Sequence, residues 1–223
     1  MQFLFSDEAG KASIKLKGEE YKYLFKVRRH NTGDTLYFRT RDKSEVLHAY
    51  KVSSLDGRSA ALEHISTEIK EVKSDKVLHI AWCVIDPKSV EKVLPSLNEI
   101  GVSKISFIYC ARSQKNFKTD IQRYERILET SSQQCGRSKQ IEFEVFKNLD
   151  DFITLYPETV VLDFCDEVLG CENDVSTVLI GCEGGFSKDE RDKVQKLKRF
   201  RLDTPMILRS ESAAMAIASK VLI

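Results

Sequence analysis

The 223-residue sequence has no apolar stretch near the roughly 20 residues needed to cross a bilayer, so no membrane partner is expected. Its six cysteines (Cys83, Cys110, Cys135, Cys165, Cys171 and Cys182) include no C-x-x-C pair. Its four histidines (His30, His48, His64 and His79) have no metal-ligand spacing. Zinc chemistry and other bound metals are therefore not expected. The thiols read as buried, reduced side chains of a cytoplasmic protein. The opening MQFLFSDEAGK carries acids and lacks a basic leader, so no secretory signal is expected. Phosphate-binding fingerprints are missing as well. The strand-like VLHIAWCVI (77–85) runs into DPKSV rather than G-x-G-x-x-G, and no G-x-x-x-x-G-K-S/T occurs, which excludes the common dinucleotide and P-loop readings.

What is present belongs to a globular chain: 42% apolar residues and 31% charged, with 35 basic side chains against 34 acidic. The charge is unevenly sorted. Residues 1–70 hold 13 basic against 10 acidic, residues 111–140 hold 7 against 3, and residues 141–183 hold 1 against 11. A local basic face in a neutral chain attracts phosphate backbones, but it is also what ordinary solvated surface looks like. Charge alone leaves both open.

Two rhythms divide the chain. Up to residue 70, short alternating runs (SIKLKG, DTLYFRT, VLHAYKVSS, SAALEHIS) are punctuated by glycines, which predicts a small β-barrel or curled sheet. EEYKYLFKVRRHNTGD (19–34) adds one short helix ending near Arg28–Arg29. The polar STEIKEVKSDK (66–76) reads as a linker or crossover strand. From residue 76 to 223, continuous apolar strands alternate with amphipathic helices, the pattern of an α/β domain with a mostly parallel sheet.

Three runs carry chemistry. In LIGCEGGFSKDE (179–190) a strand meets a glycine turn, and Ser187 with Glu190 forms an S-x-x-E capping box. Glycines at the carboxyl end of a strand let a ligand approach the main chain, or they make a plain turn. In LDTPMILRSESAAMAIASKVLI (202–223), Arg209 stands between an apolar triplet and an alanine-rich helix whose small residues suit close packing, as a subunit interface requires. ARSQKNFK (111–118) is a basic loop after a strand, and QCGR (134–137) closes a long helix.

With IGCEGGFS, LRSESAA, ARS, QQCGR and VRRHNTGD in the same order, the chain resembles the bacterial 16S ribosomal RNA uracil-N3 methyltransferases of the SPOUT superfamily. The resemblance spans essentially the whole chain. It departs where the family usually has Pro (Cys182), an acid (Ala111) and Ser (Cys135). It implies a PUA-like β-barrel over 1–70 and a SPOUT α/β domain over 76–223 whose trefoil knot cradles S-adenosylmethionine. Leu162, Phe164 and Cys165, then Ile180, Gly181, Glu183, Gly184 and Gly185, then Ile207, Leu208, Arg209 and Ser210 would line that cradle. It further implies a homodimer acting on one uridine of 16S ribosomal RNA in the small subunit. Arg209 would stabilise charge on the uracil oxygens, and Glu211 or a water would take the N3 proton. Arg28, Arg29, Arg112, Lys115 and Arg137 would meet RNA phosphates. Methylation of a ribose 2′-hydroxyl or another base, and a non-catalytic RNA-binding assembly factor, are the competing expectations.

Overall fold

A computed structural model of the chain describes residues 2–113, 116–170 and 173–223. By its contacts the chain forms two units, Met1–Lys73 with Gln133–Lys139, and Ser74–Ser132 with Gln140–Ile223.

In the first unit, strands Leu4–Phe5 (β1), Ser13–Lys17 (β2), Thr35–Arg39 (β3), Val46–Leu55 (β4) and Ser59–Ile69 (β5) pair in the order β1-β3-β4-β5-β2. β1 runs parallel to β3 and the other pairs are antiparallel, so the sheet is mixed. Alternation sets its faces: Ile14 and Leu16 of β2 point inward while Ser13, Lys15 and Lys17 are exposed. Register shifts at Ala49/Tyr50 and Val52/Ser54 bend β4 against β5 and curl the sheet into a half-barrel. Leu16, Phe38, Tyr50 and Leu62 fill it. The expected linker is partly strand, because Ser66–Ile69 still pairs with β4.

The helix expected across 19–34 is a single α-helical turn, Gly18–Tyr21 (α1), that widens into a π-helical stretch, Lys22–Val27. Tyr21, Leu24 and Phe25 are buried on its inner side. The wide turn closes where the Arg28 N–H donates to the Tyr23 carbonyl, five residues back, at 2.9 Å. Arg29 then reverses the chain at φ 62°, the one positive φ outside glycine among the described residues.

In the second unit, strands His79–Cys83 (β6), Lys104–Ile108 (β7), Glu142–Phe146 (β8), Val160–Leu162 (β9), Thr177–Ile180 (β10) and Arg199–Phe200 (β11) form a sheet in the order β11-β9-β10-β6-β7-β8. Every pair is parallel. The helices are Pro87–Ile100 (α2), Ile121–Cys135 (α3, its last turn counted with the first unit), Leu149–Leu155 (α4), Lys188–Val194 (α5) and Ser210–Leu222 (α6). All five residues of β6 are buried, as a strand covered on both faces must be. From β6 the chain builds outward through β7 and β8, crosses over to β9, and returns with β10 to fill the gap beside β6. Such a reversal opens a crevice at the carboxyl ends of the strands. α6 lies against α2, and its Ala213, Ala214 and Ala218 are buried within the chain itself. The alanines expected at a subunit interface thus serve internal packing first.

The opposite, amino end of the sheet holds a polar cluster. His79 Nε2 lies 2.7 Å from Ser106 Oγ, which donates to Glu144 at 3.1 Å. Glu144 also holds Lys104 at 2.7 Å and accepts from the Tyr156 hydroxyl at 3.0 Å. Burial, aided by the charge of Lys104, lowers the His79 pKa from 6.5 to about 4. The unfolded chain therefore binds more protons than the folded one between those values. The contribution of His79 is fully present above pH 6.5 and is lost as pH falls toward 4. Urea unfolding at pH 7 and pH 4.5 is expected to show a loss in the native protein that is smaller by about 2–3 kcal/mol in His79→Phe. Equal acid sensitivity of the two proteins would contradict this.

Candidate active site

The carboxyl ends of β9, β10 and β11 open onto a cavity of about 660 Å³ within the second unit. That volume suits a cofactor-sized ligand. Leu162 and Phe164 form one wall, Ile180, Gly181, Glu183 and Gly185 a second, and Ile207, Leu208, Arg209 and Ser210 a third. The three segments singled out in the sequence therefore converge on one space. Cys165 and Gly184 are not among its lining residues, and neither is Glu211. Phe164 and Ile207 are 80% and 83% exposed, so the apolar rim faces solvent and can cover a flat ring.

A buried chain of hydrogen bonds fixes these walls. The Trp82 indole Nε1–H donates to Ser210 Oγ at 2.8 Å, and Ser210 Oγ donates to the Gly181 carbonyl at 2.7 Å. Trp82 is fully buried in β6, so the start of α6 and the bend after β10 are both tied to the centre of the sheet. Glu190 makes a second tie. Its Oε2 accepts from the Ser187 N–H (2.8 Å) and Ser187 Oγ accepts from the Glu190 N–H (3.3 Å), completing the capping box. Its Oε1 accepts from the Ala111 N–H at 2.7 Å, joining the loop after β7 to α5. Because that bond uses main chain, the departure at Ala111 removes nothing from it.

The glycine turn is closed by the Gly185 N–H, which donates to the Cys182 carbonyl at 2.9 Å. Gly185 sits at φ 64°, where a side chain would be strained. A Cβ on Gly184 would meet the Arg112 Cβ at 3.3 Å. Cys182 occupies the family's proline position without opening the turn, and its thiol lies 3.5 Å from the Gly185 carbonyl. Burial pushes the Cys182 thiol pKa up. Cys83 and Cys110 are a buried thiol pair behind it, Sγ to Sγ 2.6 Å, and burial pushes Cys83 up as well. Neither Cys83 nor Cys182 is poised as a nucleophile. No group of three or more His, Cys, Asp or Glu suited to a metal ion occurs among the described residues.

The cavity carries charges that the sequence did not single out: Asp163, Arg191 and Arg201. Asp163 Oδ2 lies 3.4 Å from Arg191 Nη1 and 3.9 Å from Arg199 Nη1. Arg201 Nη1 donates to the Leu202 carbonyl at 3.3 Å and lies 3.6 Å from Asp203. Arg209, the residue before α6, is exposed and has no ion-pair partner among the described residues. Glu211 Oε2 is buried and has no hydrogen-bond partner among them.

The expected phosphate-binding residues fare differently. In the first unit, Arg28 and Arg29 are exposed, and Arg28 Nε and Nη2 donate to the Tyr23 hydroxyl at 3.1 and 2.9 Å. Arg137, expected at the surface, is 6% exposed and donates through Nε to the Lys139 carbonyl. Burial lowers its pKa to about 10, and it serves the segment after α3 rather than an outside phosphate. In the second unit Arg112 is exposed, but its Nη1 donates to the Gly184 carbonyl at 2.7 Å. Lys115 lies outside the described residues.

Trp82 was missed at the sequence level, although a signal existed: a tryptophan inside an apolar strand must find an acceptor for its N–H. Ser210→Ala removes that acceptor and is expected to cost about 1–3 kcal/mol. Thermal or urea unfolding reads the loss, and an unchanged stability would show that the clamp carries no weight.

The RNA methyltransferase domain family matches residues 72–222. The ribosomal RNA small subunit methyltransferase E of Helicobacter pylori strain 26695 is 38% identical over 223 residues, covering 98% of each chain. The protein of the same name from Buchnera aphidicola is 23% identical over 216 residues, covering 90% of this chain and 83% of its own. Among solved structures, the ribosomal RNA small subunit methyltransferase E of Neisseria gonorrhoeae, bound to S-adenosyl methionine, superposes with a TM-score of 0.75. It has 16% identity and covers 98% of this chain and 95% of its own, a likeness of fold. Matched along its full length by such relatives, the chain belongs to the ribosomal RNA small subunit methyltransferase E family of RNA methyltransferases.

Proposed function

We propose that the protein transfers a methyl group from S-adenosylmethionine to N3 of one uridine in the 16S RNA of the small ribosomal subunit. The single observation that carries the reading is the meeting of three strand-end segments around one cavity, with Arg209, which has no ion-pair partner among the described residues, on its wall. The cavity suits the cofactor: a volume of about 660 Å³, an apolar rim for the adenine, a glycine turn that brings main chain to the ligand, and charged groups among the lining residues. Leu162, Ile180, Gly181 and Ile207–Ser210 would hold it. When bound, the sulfonium supplies a methyl group already activated for attack.

The chain then has two tasks, alignment of the acceptor and management of one proton. Uracil N3 lies on the pairing edge of the base, so the nucleotide must be unpaired or flipped out. Loss of the N3 proton spreads charge onto O2 and O4, and the Arg209 guanidinium would stabilise it. The Ser210 clamp positions Arg209, since the two are adjacent and Ser210 is anchored at both ends of its hydrogen-bond chain. The N3 proton would pass to Glu211 or to a water. A buried Oε2 on Glu211 with no hydrogen-bond partner among the described residues supports the carboxylate, because such an atom gains from any donor that reaches it. Glu183, exposed on the turn, is left to organise the loop.

The half-barrel unit would dock RNA through Arg28 and Arg29, with Arg112 contributing from the second unit. A homodimer acting in the cytoplasm, and a trefoil crossing of the two late bends, complete the reading.

Arg209→Ala is expected to reduce methylation of undermethylated small subunits by about a hundredfold or more while leaving cofactor binding measurable. Transfer of radiolabel from S-adenosylmethionine measures the rate. Nucleoside mass spectrometry should show N3-methyluridine, and a 2′-O-methyl product would overturn the assignment of the acceptor atom.

A further inference from the structure

We propose that Asp163 and Arg191 form a subsite for the α-amino-acid end of the methyl donor, Asp163 taking the ammonium group and Arg191 the carboxylate. The inference rests on the reading of the cavity as the donor's seat and assigns the donor's orientation within it.

Asp163 is the unusual residue. Its side chain is only 7% exposed, yet it lines the cavity. A buried carboxylate needs close charged or hydrogen-bonding partners to offset its desolvation. Those it has are distant: Arg191 Nη1 at 3.4 Å and Arg199 Nη1 at 3.9 Å. Charge-assisted contacts close to about 2.7–2.9 Å where geometry is free to optimise. This chain does so elsewhere, since Arg123 grips Glu91 through two nitrogens at 2.5 and 2.7 Å on an exposed surface. The Asp163–Arg191 pair is therefore held apart in a place where a short contact would be most valuable.

The free valences point the same way. The one side-chain hydrogen bond shown for Asp163 is the long Arg191 Nη1 contact to Oδ2, with Arg199 Nη1 farther from the same oxygen. Arg191 uses Nη1 alone, and its Nη2 lies 3.9 Å from the position a Cβ on Gly185 would take. The guanidinium thus stands beside the glycine turn with no other side-chain hydrogen bond among the described residues. A carboxylate and a guanidinium side by side on the cavity wall, joined only by a long contact, are complementary to an ammonium and a carboxylate carried on one carbon.

The other cavity arginines are less suited. Arg201 is committed to the Leu202 carbonyl and to Asp203. Arg209 stands before α6, where the proposed reaction needs it. The apolar residues Leu162, Ile180 and Met206–Leu208 remain for the ring, so the cavity offers both apolar and charged lining. That polarity matches a ligand built from a nucleoside and an amino acid.

Calorimetric titration of the full chain with two ligands separates the possibilities. S-adenosylhomocysteine carries the amino-acid end, and 5′-methylthioadenosine keeps the nucleoside and lacks it. Arg191→Ala, at a residue whose side chain is 44% exposed, is expected to fold normally, with thermal unfolding as the check. It should weaken S-adenosylhomocysteine by about tenfold or more and leave 5′-methylthioadenosine within about twofold. Asp163→Asn should show the same asymmetry. An undiminished affinity of Arg191→Ala for S-adenosylhomocysteine, or equal losses for both ligands, would overturn the subsite. If the native protein binds neither ligand, the reading of the cavity fails, and the subsite with it.

Discussion

One indole N–H organises the catalytic half of this protein. Trp82 sits at the centre of a parallel sheet, has no water to bond, and finds its acceptor in Ser210 Oγ, which passes the hydrogen bond to the Gly181 carbonyl. Two bends, joined at residues 29 positions apart in the chain, are thereby fixed to the same point. The cost of breaking the chain is set by burial, since each polar atom in it would be stranded. Arg209, next to Ser210, inherits its position from that constraint. The exposed arginine, without an ion-pair partner among the described residues, is held at its base by a buried anchor, an arrangement that would preorganise its charge for the proposed reaction.

The topology supplies the space that this clamp then shapes. A sheet built outward from β6 in one direction, and later filled in beside it by β10, opens a crevice at the carboxyl ends of β9, β10 and β11, whose following segments line the cavity. Glu190 closes the opposite flank by combining a helix cap with a long-range bond to Ala111. Toward the amino end of the sheet, on β6, β7 and β8, the His79–Ser106–Glu144–Lys104 cluster is joined internally by hydrogen bonds and an ion pair. The two ends thus divide the work. One is closed polar scaffolding sensitive to acid, and the other is an open cup of main chain and apolar rim.

Much of this was legible in the sequence, for reasons that can be named. The glycine turn and the Ser187–Glu190 box are local in sequence, and local geometry enforces them. The alternating runs of the first seventy residues and the apolar strands beyond them signal a curled sheet and a parallel sheet. What was not legible depends on distance along the chain. Asp163 and Arg191 are 28 residues apart and look like ordinary surface charges until the fold brings them to one wall. Glu190 announces a cap, but not its bond to a residue 79 positions away. Arg137 carries no mark of burial, because a basic side chain reads the same whether its guanidinium meets solvent or a carbonyl. The π-helical stretch after α1 escaped for another reason: its apolar spacing fits an α-helix nearly as well, and the wider turn is set by packing Leu24 and Phe25 under the sheet.

The central claim is that a preformed cup, locked by Trp82, Ser210 and Gly181, receives the methyl donor with little rearrangement. A crystal structure with S-adenosylmethionine bound tests it most directly. The account predicts the donor lying between Leu162 and Ala213, with the bends shifted by less than about 1 Å and the Ser210–Gly181 hydrogen bond intact. A donor seated outside this cavity, or bends that part and break that bond to admit it, would contradict the account.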